Sequence, residues 1–300
     1  MRLGFELSEH HGWGYGALTL GVVCAMHLAG FSASQAHAQA AMVDGPTGGE
    51  TVVRKSVVVG AAPIIRAKYE GSQEHEVIPI PMVIPSLVEE EDTPDGVFKQ
   101  VRQRVKFRGL DDVRIRVFGG DRFRVGAVTG WITTRDVDDA DFLAGTGDFD
   151  GGLVAGAYTA YSIGAFTFDA AYIEKITGTS AGPQYRFGVE TTREISDRAD
   201  FTVRVGTTFA SAEFMRTYFG VSPTQSRNSR AGIPTYTPDG GIKDVFIAIG
   251  GSYDINERWV FKGGARYGRL LGDAEDSPLV ETPDQVSGTV GLGYRFYLKR

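Results

Sequence analysis

Few residues in this chain have the chemistry of a catalytic or metal-binding group, and most of those few lie near its start. The sequence contains one cysteine, Cys24, and four of its five histidines precede residue 41. The remaining histidine, His75, lies between Glu74 and Glu76 in the polar stretch GSQEHEV, where a solvated loop side chain is favoured over a general base. We therefore expect no enzymatic activity, no catalytic or cofactor-binding residue, and no thiolate or histidine metal site.

A second candidate for metal chemistry is an acidic stretch between residues 136 and 150. Its carboxylates could bind Ca²⁺ or Mg²⁺, because these hard cations prefer oxygen ligands. The residue order of an EF-hand loop is absent, so a solvated acidic loop is the favoured interpretation. The carboxylates are those of Asp136, Asp138, Asp139, Asp141, Asp148 and Asp150.

Composition and the N-terminal segment narrow the class of protein. The chain of 300 residues has a formal charge of −6, which argues against a nucleic-acid partner because phosphate binding needs a concentrated basic face. The stretch GALTLGVVCAMHLAGF is apolar but short for a membrane span, and the small residues of AHAQA follow it. This pattern predicts an export signal peptide over residues 1–40, with lipidation of Cys24 as a minor alternative, and a single domain over residues 41–300.

The rest of the chain alternates apolar and polar residues with a period of two, as FTVRVGTTF does at 201–209. Such alternation is typical of a soluble sandwich or of a transmembrane barrel whose apolar face contacts lipid. The connections favour the barrel, because short turns alternate with long loops at 135–149, 213–242 and 271–284. We predict an all-β, antiparallel up-and-down barrel of about twelve strands, near 53–66, 75–85, 97–108, 111–118, 122–134, 150–161, 165–175, 183–194, 199–212, 243–254, 258–270 and 285–298.

The polar faces of these strands are rich in arginine, and in a barrel they point into the lumen. They form either an internal salt-bridge network or an anion-preferring pore, and we favour the network. Asp169, Glu190 and Glu213 can point there too. The predicted lumen residues are Arg114, Arg116, Arg122, Arg124, Arg204, Lys262, Arg266 and Arg295.

The stretch VIPIPMVIPSL carries Pro79, Pro81 and Pro85 at positions of the same parity. Proline has no N–H group, so all three positions fail to donate a hydrogen bond to the same neighbouring strand. The sequence predicts a weakly bonded seam here, or a locally irregular strand.

Three stretches in the last third of the chain closely resemble the MipA/OmpV family of outer-membrane proteins. They are YFGVSPTQSRNSRAGIPTYTPDGGIKDV at 218–245, GGARYGRLLGDAEDSPLV at 263–280 and the final GLGYRF. The resemblance implies a β-barrel in the outer membrane of a Gram-negative bacterium, in contact with lipid and lipopolysaccharide. It also implies a scaffold that brings together murein-synthesising and murein-hydrolysing enzymes of the periplasm. A small-solute or anion channel and a surface adhesin are the alternatives.

A scaffold for periplasmic enzymes must present its contacts on the periplasmic rim. Most connections predicted there are short, but SLVEEEDTPDG at 86–96 is longer and strongly acidic. An exposed acidic connection can steer a basic partner, although a run of charges is more often simply solvated. The candidate partner-binding residues are Glu89, Glu90, Glu91 and Asp92.

Overall fold

The computed structural model describes residues 52–90, 98–103 and 105–298. Over these residues the chain is almost entirely β-sheet, with two short α-helices, α1 (Ala212–Phe219) and α2 (Pro223–Asn228). The strand segments are β1 Val52–Ala61, β2 Ile64–Ala67, β3 His75–Ile78, β4 Pro81–Glu90, β5 Phe98–Gln103, β6 Val105–Phe107, β7 Val113–Gly119, β8 Phe123–Ile132, β9 Gly152–Ile163, β10 Phe166–Lys175, β11 Gln184–Ser196, β12 Ala199–Ala210, β13 Gly241–Asp254, β14 Trp259–Leu270 and β15 Asp284–Tyr297.

These segments form one antiparallel sheet that closes into a barrel. The hydrogen-bonded order begins β5, β4, β1, β15. From β15 it continues through the strands in descending number and ends at β6. β5 and β6 are consecutive in the chain and stand at the two ends of this order, so one interrupted strand closes the sheet. β1 with β2, and β3 with β4, are likewise interrupted strands, which gives twelve barrel strands over the described residues. The predicted fold class and strand number are confirmed.

Alternate side chains of each strand point out of the barrel and into it. On β13, Val245, Ile247 and Ile249 are 41%, 45% and 47% exposed, whereas Phe246 between them is 8% exposed. Aromatic side chains cluster on the exterior near both ends of the strands, as expected at membrane interfaces. One cluster is Tyr172, Tyr185 and Phe209, and the other is Trp259, Tyr294 and Phe296.

The apolar exterior predicts how the protein behaves during extraction. We expect the mature protein to leave membranes only with detergent and to migrate differently on a denaturing gel when it is not boiled. The reason is that water cannot solvate an outward band of large apolar side chains, while the extensive hydrogen-bonded ladder resists unfolding. Gel migration before and after boiling checks this expectation. A monodisperse detergent-free form with the same far-UV spectrum would contradict it.

The two ends of the barrel differ in the length of their connections. At one end, the turn end, the described connections are short: 120–122, 164–165, 197–198 and 255–258. At the other end, the cap end, they are 68–74, 108–112, 133–151, 176–183, 211–240 and 271–283. No helix within the described residues is long and apolar enough to cross a membrane.

The long connections pack against one another and form a cap over one mouth of the barrel. The sequence predicted a loop over 213–242, but α1 begins at Ala212 and extends into this range, and α2 lies within it. Ser211 caps α1 by accepting a hydrogen bond from the Phe214 amide, and Ser222 with Gln225 forms a capping box on α2. The apolar face of α1 packs into a buried cluster whose members are Phe149, Ala181, Ala210, Phe214, Met215, Tyr218, Phe219, Leu270 and Ala274.

Polar contacts of Tyr218 and Phe219 join four connections of the cap. The Tyr218 hydroxyl accepts a hydrogen bond from the Glu70 amide (2.9 Å), and the Tyr218 carbonyl oxygen accepts one from Arg135. The Ser277 hydroxyl donates to the carbonyl oxygen of Phe219 (2.7 Å). Burial raises the pKa of Tyr218 and lowers that of Arg135. The phenol is therefore neutral near pH 7, and these connections form one packed unit.

Connection 133–151 also lies tightly on α2. Gly145 has φ +90°, and a Cβ atom there would lie 2.0 Å from the carbonyl oxygen of Asn228. Only glycine fits both the left-handed backbone conformation and this close approach. A second buried cluster lies in the cap and contains Tyr69, Leu143, Val221, Ile233 and Leu279.

Candidate functional site

The barrel encloses a cavity of about 1250 Å³ that extends from the cap to the turn end. At the cap end its lining includes Phe214 and Tyr218, on the inner side of the cap. At the other end it includes Gly164 and Asp197, which lie in the short turns. Over the described residues, none of 134–151, 219–240 or 271–283 lines the cavity. The cavity is therefore closed by the cap and continues to the turn end.

Asp169 on β10 is the centre of an ionic network on one wall of the cavity. Its carboxylate is fully buried and accepts hydrogen bonds from Arg114 (Nη1 to Oδ1, 2.7 Å) and from Arg204 (Nη2 to Oδ1, 2.9 Å). Arg108 Nη1 lies 3.2 Å from Asp169 Oδ1, and Arg108 Nη2 donates to Glu190 (2.9 Å). Three guanidinium groups thus share one buried carboxylate, an arrangement that compensates charge taken out of water.

The same network extends toward the cap through Asp112 and Arg186. Arg114 Nε donates to Asp112 Oδ1 (2.7 Å), and Arg186 contacts Asp112 (3.3 Å) and Asp111 (2.7 Å). On the other side, Lys106 donates to Glu190. We call this set the ionic network; it comprises Lys106, Arg108, Asp111, Asp112, Arg114, Asp169, Arg186, Glu190 and Arg204.

Three of the predicted lumen residues outside this network have polar contacts, namely Arg124, Arg266 and Arg295. Arg266 contacts Asp244 (3.3 Å), and Arg295 donates to Asp254 Oδ1 (2.9 Å). Arg124 donates to the hydroxyls of Ser162 (2.8 Å) and Thr167 (3.2 Å). Arg116, Arg124, Lys262 and Arg266 line the cavity, as Arg114 and Arg204 do.

Two residues lie elsewhere than expected. Arg122 is exposed in turn 120–122 and does not line the cavity. It lies outside the sheet, because β7 ends at Gly119 and β8 begins at Phe123. Glu213, which was expected to reach the lumen, is exposed on α1 and accepts a hydrogen bond from Ser180 (3.1 Å). It lies outside the cavity because strand β12 ends at Ala210 and the chain turns into a helix.

Several members of the ionic network were not predicted from the sequence. Lys106 and Arg108 alternate with Phe107, so their inward direction follows from a period of two. Asp112 has the same parity as Arg114, but it lies before the first residue of β7. Alternation could have identified all three, whereas their pairing partners depend on the register between distant strands.

Part of the cavity wall carries apolar side chains. Ile64, Ile80 and Met82 are buried and point inward from β2 to β4. Ala248 on β13 and Ser287 on β15 are small residues that also line the cavity. The cavity therefore has an apolar wall at Ile64, Ile80 and Met82, while charged residues such as Lys262 and Arg266 on β14 line other parts of it.

The acidic stretch of the cap uses its carboxylates to hold its own backbone. Asp139 accepts a hydrogen bond from the Asp136 amide (2.8 Å), and Asp148 accepts one from the Val137 amide (2.8 Å). Burial and the neighbouring carboxylates, Asp139 first, raise the pKa of Asp136. Among the described residues no group of three or more His, Cys, Asp or Glu side chains is arranged to hold a metal ion. His75 is exposed at the cap end.

Two of the candidate partner-binding residues, Glu89 and Glu90, lie at the turn end. Glu89 and Glu90 end β4, which extends five residues beyond the predicted strand 75–85 because Val52 and Val53 of β1 pair with them. Glu91 and Asp92 lie outside the described residues.

A closed antiparallel barrel of twelve strands, with an apolar exterior, an ionic interior and short turns at one end, defines the class of outer-membrane β-barrel proteins. The chain belongs to the MipA family: the family described as MltA-interacting protein MipA matches residues 59–296. This confirms the resemblance predicted from the C-terminal stretches.

One relative is the outer membrane protein Omp26La of Vibrio anguillarum, 26% identical over 191 residues that cover 62% of this chain and 72% of that protein. Among solved structures, the NanC porin aligns with 79% of this chain and 98% of its own at 10% identity, with a TM-score of 0.35. The outer membrane protein OmpT of Vibrio cholerae aligns with 82% of this chain and 98% of its own at 9% identity, with a TM-score of 0.33.

Proposed function

We propose that this protein is an outer-membrane scaffold that binds murein-hydrolysing and murein-synthesising enzymes of the periplasm at its turn end. The observation that carries the proposal is the asymmetry of the barrel: long connections form a cap over one mouth, while at the other end the described connections are short and some of their residues line the cavity. Outer-membrane barrels direct their short turns to the periplasm and their long loops outward. The turn end is then the side that periplasmic enzymes can reach, and the family description as an MltA-interacting protein supports such a partner.

The lumen supports a scaffold better than an anion channel. An anion-preferring pore needs fixed cations that remain uncompensated along the path. Here Arg114, Arg204 and Arg266 are each within 3.3 Å of a carboxylate oxygen, and a packed cap closes the outer mouth. Ion pairs and the cap together favour a barrel that is electrically silent at rest.

The acidic side chains at 89–92 are the proposed steering surface for a basic partner. Replacing Glu89, Glu90, Glu91 and Asp92 by serine is expected to lower the capture of periplasmic murein enzymes. The loss should be larger at about 0.01 M salt, where charges act over about 30 Å, than at about 0.15 M, where they act over about 8 Å. The measurement is the amount of murein hydrolase and synthase retained from a periplasmic extract by the immobilised barrel.

The control for this experiment removes the same number of carboxylates from the opposite end of the barrel. Its positions are all exposed on the cap: Asp138, Asp141, Asp239 and Asp276. This control should retain the enzymes as the unmodified barrel does. If both variants retain equal amounts of the murein enzymes at both salt concentrations, residues 89–92 are not the partner surface. That result would favour the cap as the binding surface and the adhesin alternative.

A further inference from the structure

One interval of the barrel wall lacks a hydrogen-bonded neighbour on one side. β3 pairs only with β2, and β4 pairs with β5 only between Ser86 and Glu90. On the facing edge, Val105–Phe107 pairs only with β7. Over the described residues, 79–85 therefore faces 105–107 without a ladder, and we call this interval the seam.

Proline explains why the ladder is missing. The Ala62 amide donates to the carbonyl oxygen of Ile80 (2.8 Å), so the backbone groups of Ile80 face β1 and β2. Successive residues of a strand direct these groups to alternate sides, so Pro79, Pro81 and Pro85 face the seam. None of the three has an N–H group to donate. The irregular strand and the weakly bonded seam predicted from proline parity are both found here.

The cavity reaches the outer surface of the barrel through the seam. Register places Met82 opposite Gly60, with its side chain buried, so Pro81 and Val83 face outward. Lys106 pairs with the lumen residue Arg114, so Val105 and Phe107 on either side of it also face outward. The four outward residues nevertheless line the cavity together with inward ones: Pro81, Val83, Val105 and Phe107. The cavity is thus continuous with the lipid-facing side at this interval.

The ends of the seam are closed. Leu110 packs with Ile78 and Ile80 in a buried cluster at the cap end. At the turn end the ladder resumes with Ser86 opposite Gln103. The opening is therefore a window about five residues tall, roughly 16 Å along the strand, with an apolar outer rim.

The interior beside this window carries positive charge. In the ionic network, five cationic side chains face four carboxylates, which leaves one excess positive charge. Arg108 follows the seam residue Phe107, is about nine-tenths buried and lines the cavity. Its Nε atom is buried without a hydrogen-bond partner in the described part of the chain. A buried guanidinium N–H without a partner is costly and is satisfied by an added acceptor.

We propose that the seam is a lateral portal through which a long-chain fatty acid enters the lumen from the membrane. Its carboxylate binds at Arg108 and Lys106, and its alkyl chain lies against the apolar wall that contains Ile80 and Met82. A monoanion matches the single excess charge of the network, and an alkyl chain matches the apolar rim of the window. The portal proposal does not rest on the proposed scaffold function. Its test measures fatty-acid binding to the purified barrel without any periplasmic enzyme, so either proposal can fail alone.

The test uses palmitate as the anionic probe and hexadecanol as its neutral counterpart. We expect the barrel in detergent to bind palmitate about tenfold more tightly than hexadecanol, the effect of one charge-assisted hydrogen bond. In R108Q this preference should fall, because Lys106 alone then pairs with the carboxylate, while hexadecanol binding is unchanged. If the unmodified barrel binds the two probes equally, the proposed carboxylate-binding site at Arg108 and Lys106 is wrong.

A second pair of variants tests the route of entry without altering the network. V83W places an indole in the seam, whereas I247W places one on the exterior of β13, where Ile247 is 45% exposed. We expect V83W alone to slow palmitate association, by about tenfold or more, with folding verified by heat-modifiable migration. If V83W and I247W bind at the same rate as the unmodified barrel, the fatty acid does not pass through the seam and the portal is wrong.

Discussion

Asp169→Asn is expected to destabilise the barrel by about 3–5 kcal/mol, the typical cost of removing one partner from a buried ionic cluster. Asp169 has a fully buried side chain and contacts Arg108, Arg114 and Arg204. Asparagine keeps the volume but not the charge, so three guanidinium groups would lose their common carboxylate. The measurement is the urea concentration at which the detergent-solubilised barrel loses its unboiled gel migration.

The matched control is the same substitution at Asp197, an exposed residue in turn 197–198. It should change the free energy of unfolding by no more than about 0.5 kcal/mol. Adding Arg204→Met to Asp169→Asn should recover part of the loss, because it removes one of the uncompensated charges. If D169N and D197N unfold at the same urea concentration, the ionic network does not stabilise the fold.

Tyr218→Ala is expected to open the cap and to convert a silent barrel into a conducting one. Tyr218 packs on Phe149 (4.8 Å between ring centroids), Phe214 (5.7 Å) and Phe219 (4.9 Å) and accepts the hydrogen bond from Glu70. Removing a buried aromatic side chain costs about 3–5 kcal/mol, which is large for a unit as small as the cap. The cavity beneath it is continuous to the turn end, so an open cap leaves an aqueous path.

Two measurements check this prediction: current steps in planar lipid bilayers, and protease cleavage within 211–240. The control is Tyr253→Ala, because Tyr253 is 46% exposed on the exterior of β13 and its loss leaves the cap intact. Only Y218A should conduct and become sensitive to protease. Conduction by the unmodified protein, or a silent and protease-resistant Y218A, would show that the cap does not govern passage.

The strands were predictable because their signal is local. A period of two is visible in any stretch such as 201–209, and inward residues such as Arg114 and Arg204 follow from it directly. Proline parity likewise located the seam. The pairing of Arg204 with Asp169 was not predictable, because it depends on the register of β10, β11 and β12 and on the tilt of the barrel.

The cap was missed for a different reason. Ser211 and Ser222 are ordinary N-cap residues, and Pro223 with Gln225 completes a helix-start signal on α2. These local signals indicate short helices but say nothing about where the helices pack. The burial of Tyr218 and Leu143 arises from contacts between connections far apart in the sequence. The periodicity of the sequence does not predict such contacts.

The construction of the cap determines which antibodies can recognise the cap end of the barrel. Residues 211–240 are held by Glu70, Arg135 and Ser277, which belong to three other connections. A synthetic peptide covering 211–240 lacks all of these partners, and helices of six to eight residues do not persist alone in water. Antibodies raised against such a peptide will therefore bind the folded protein poorly, and its principal epitopes will be discontinuous in sequence.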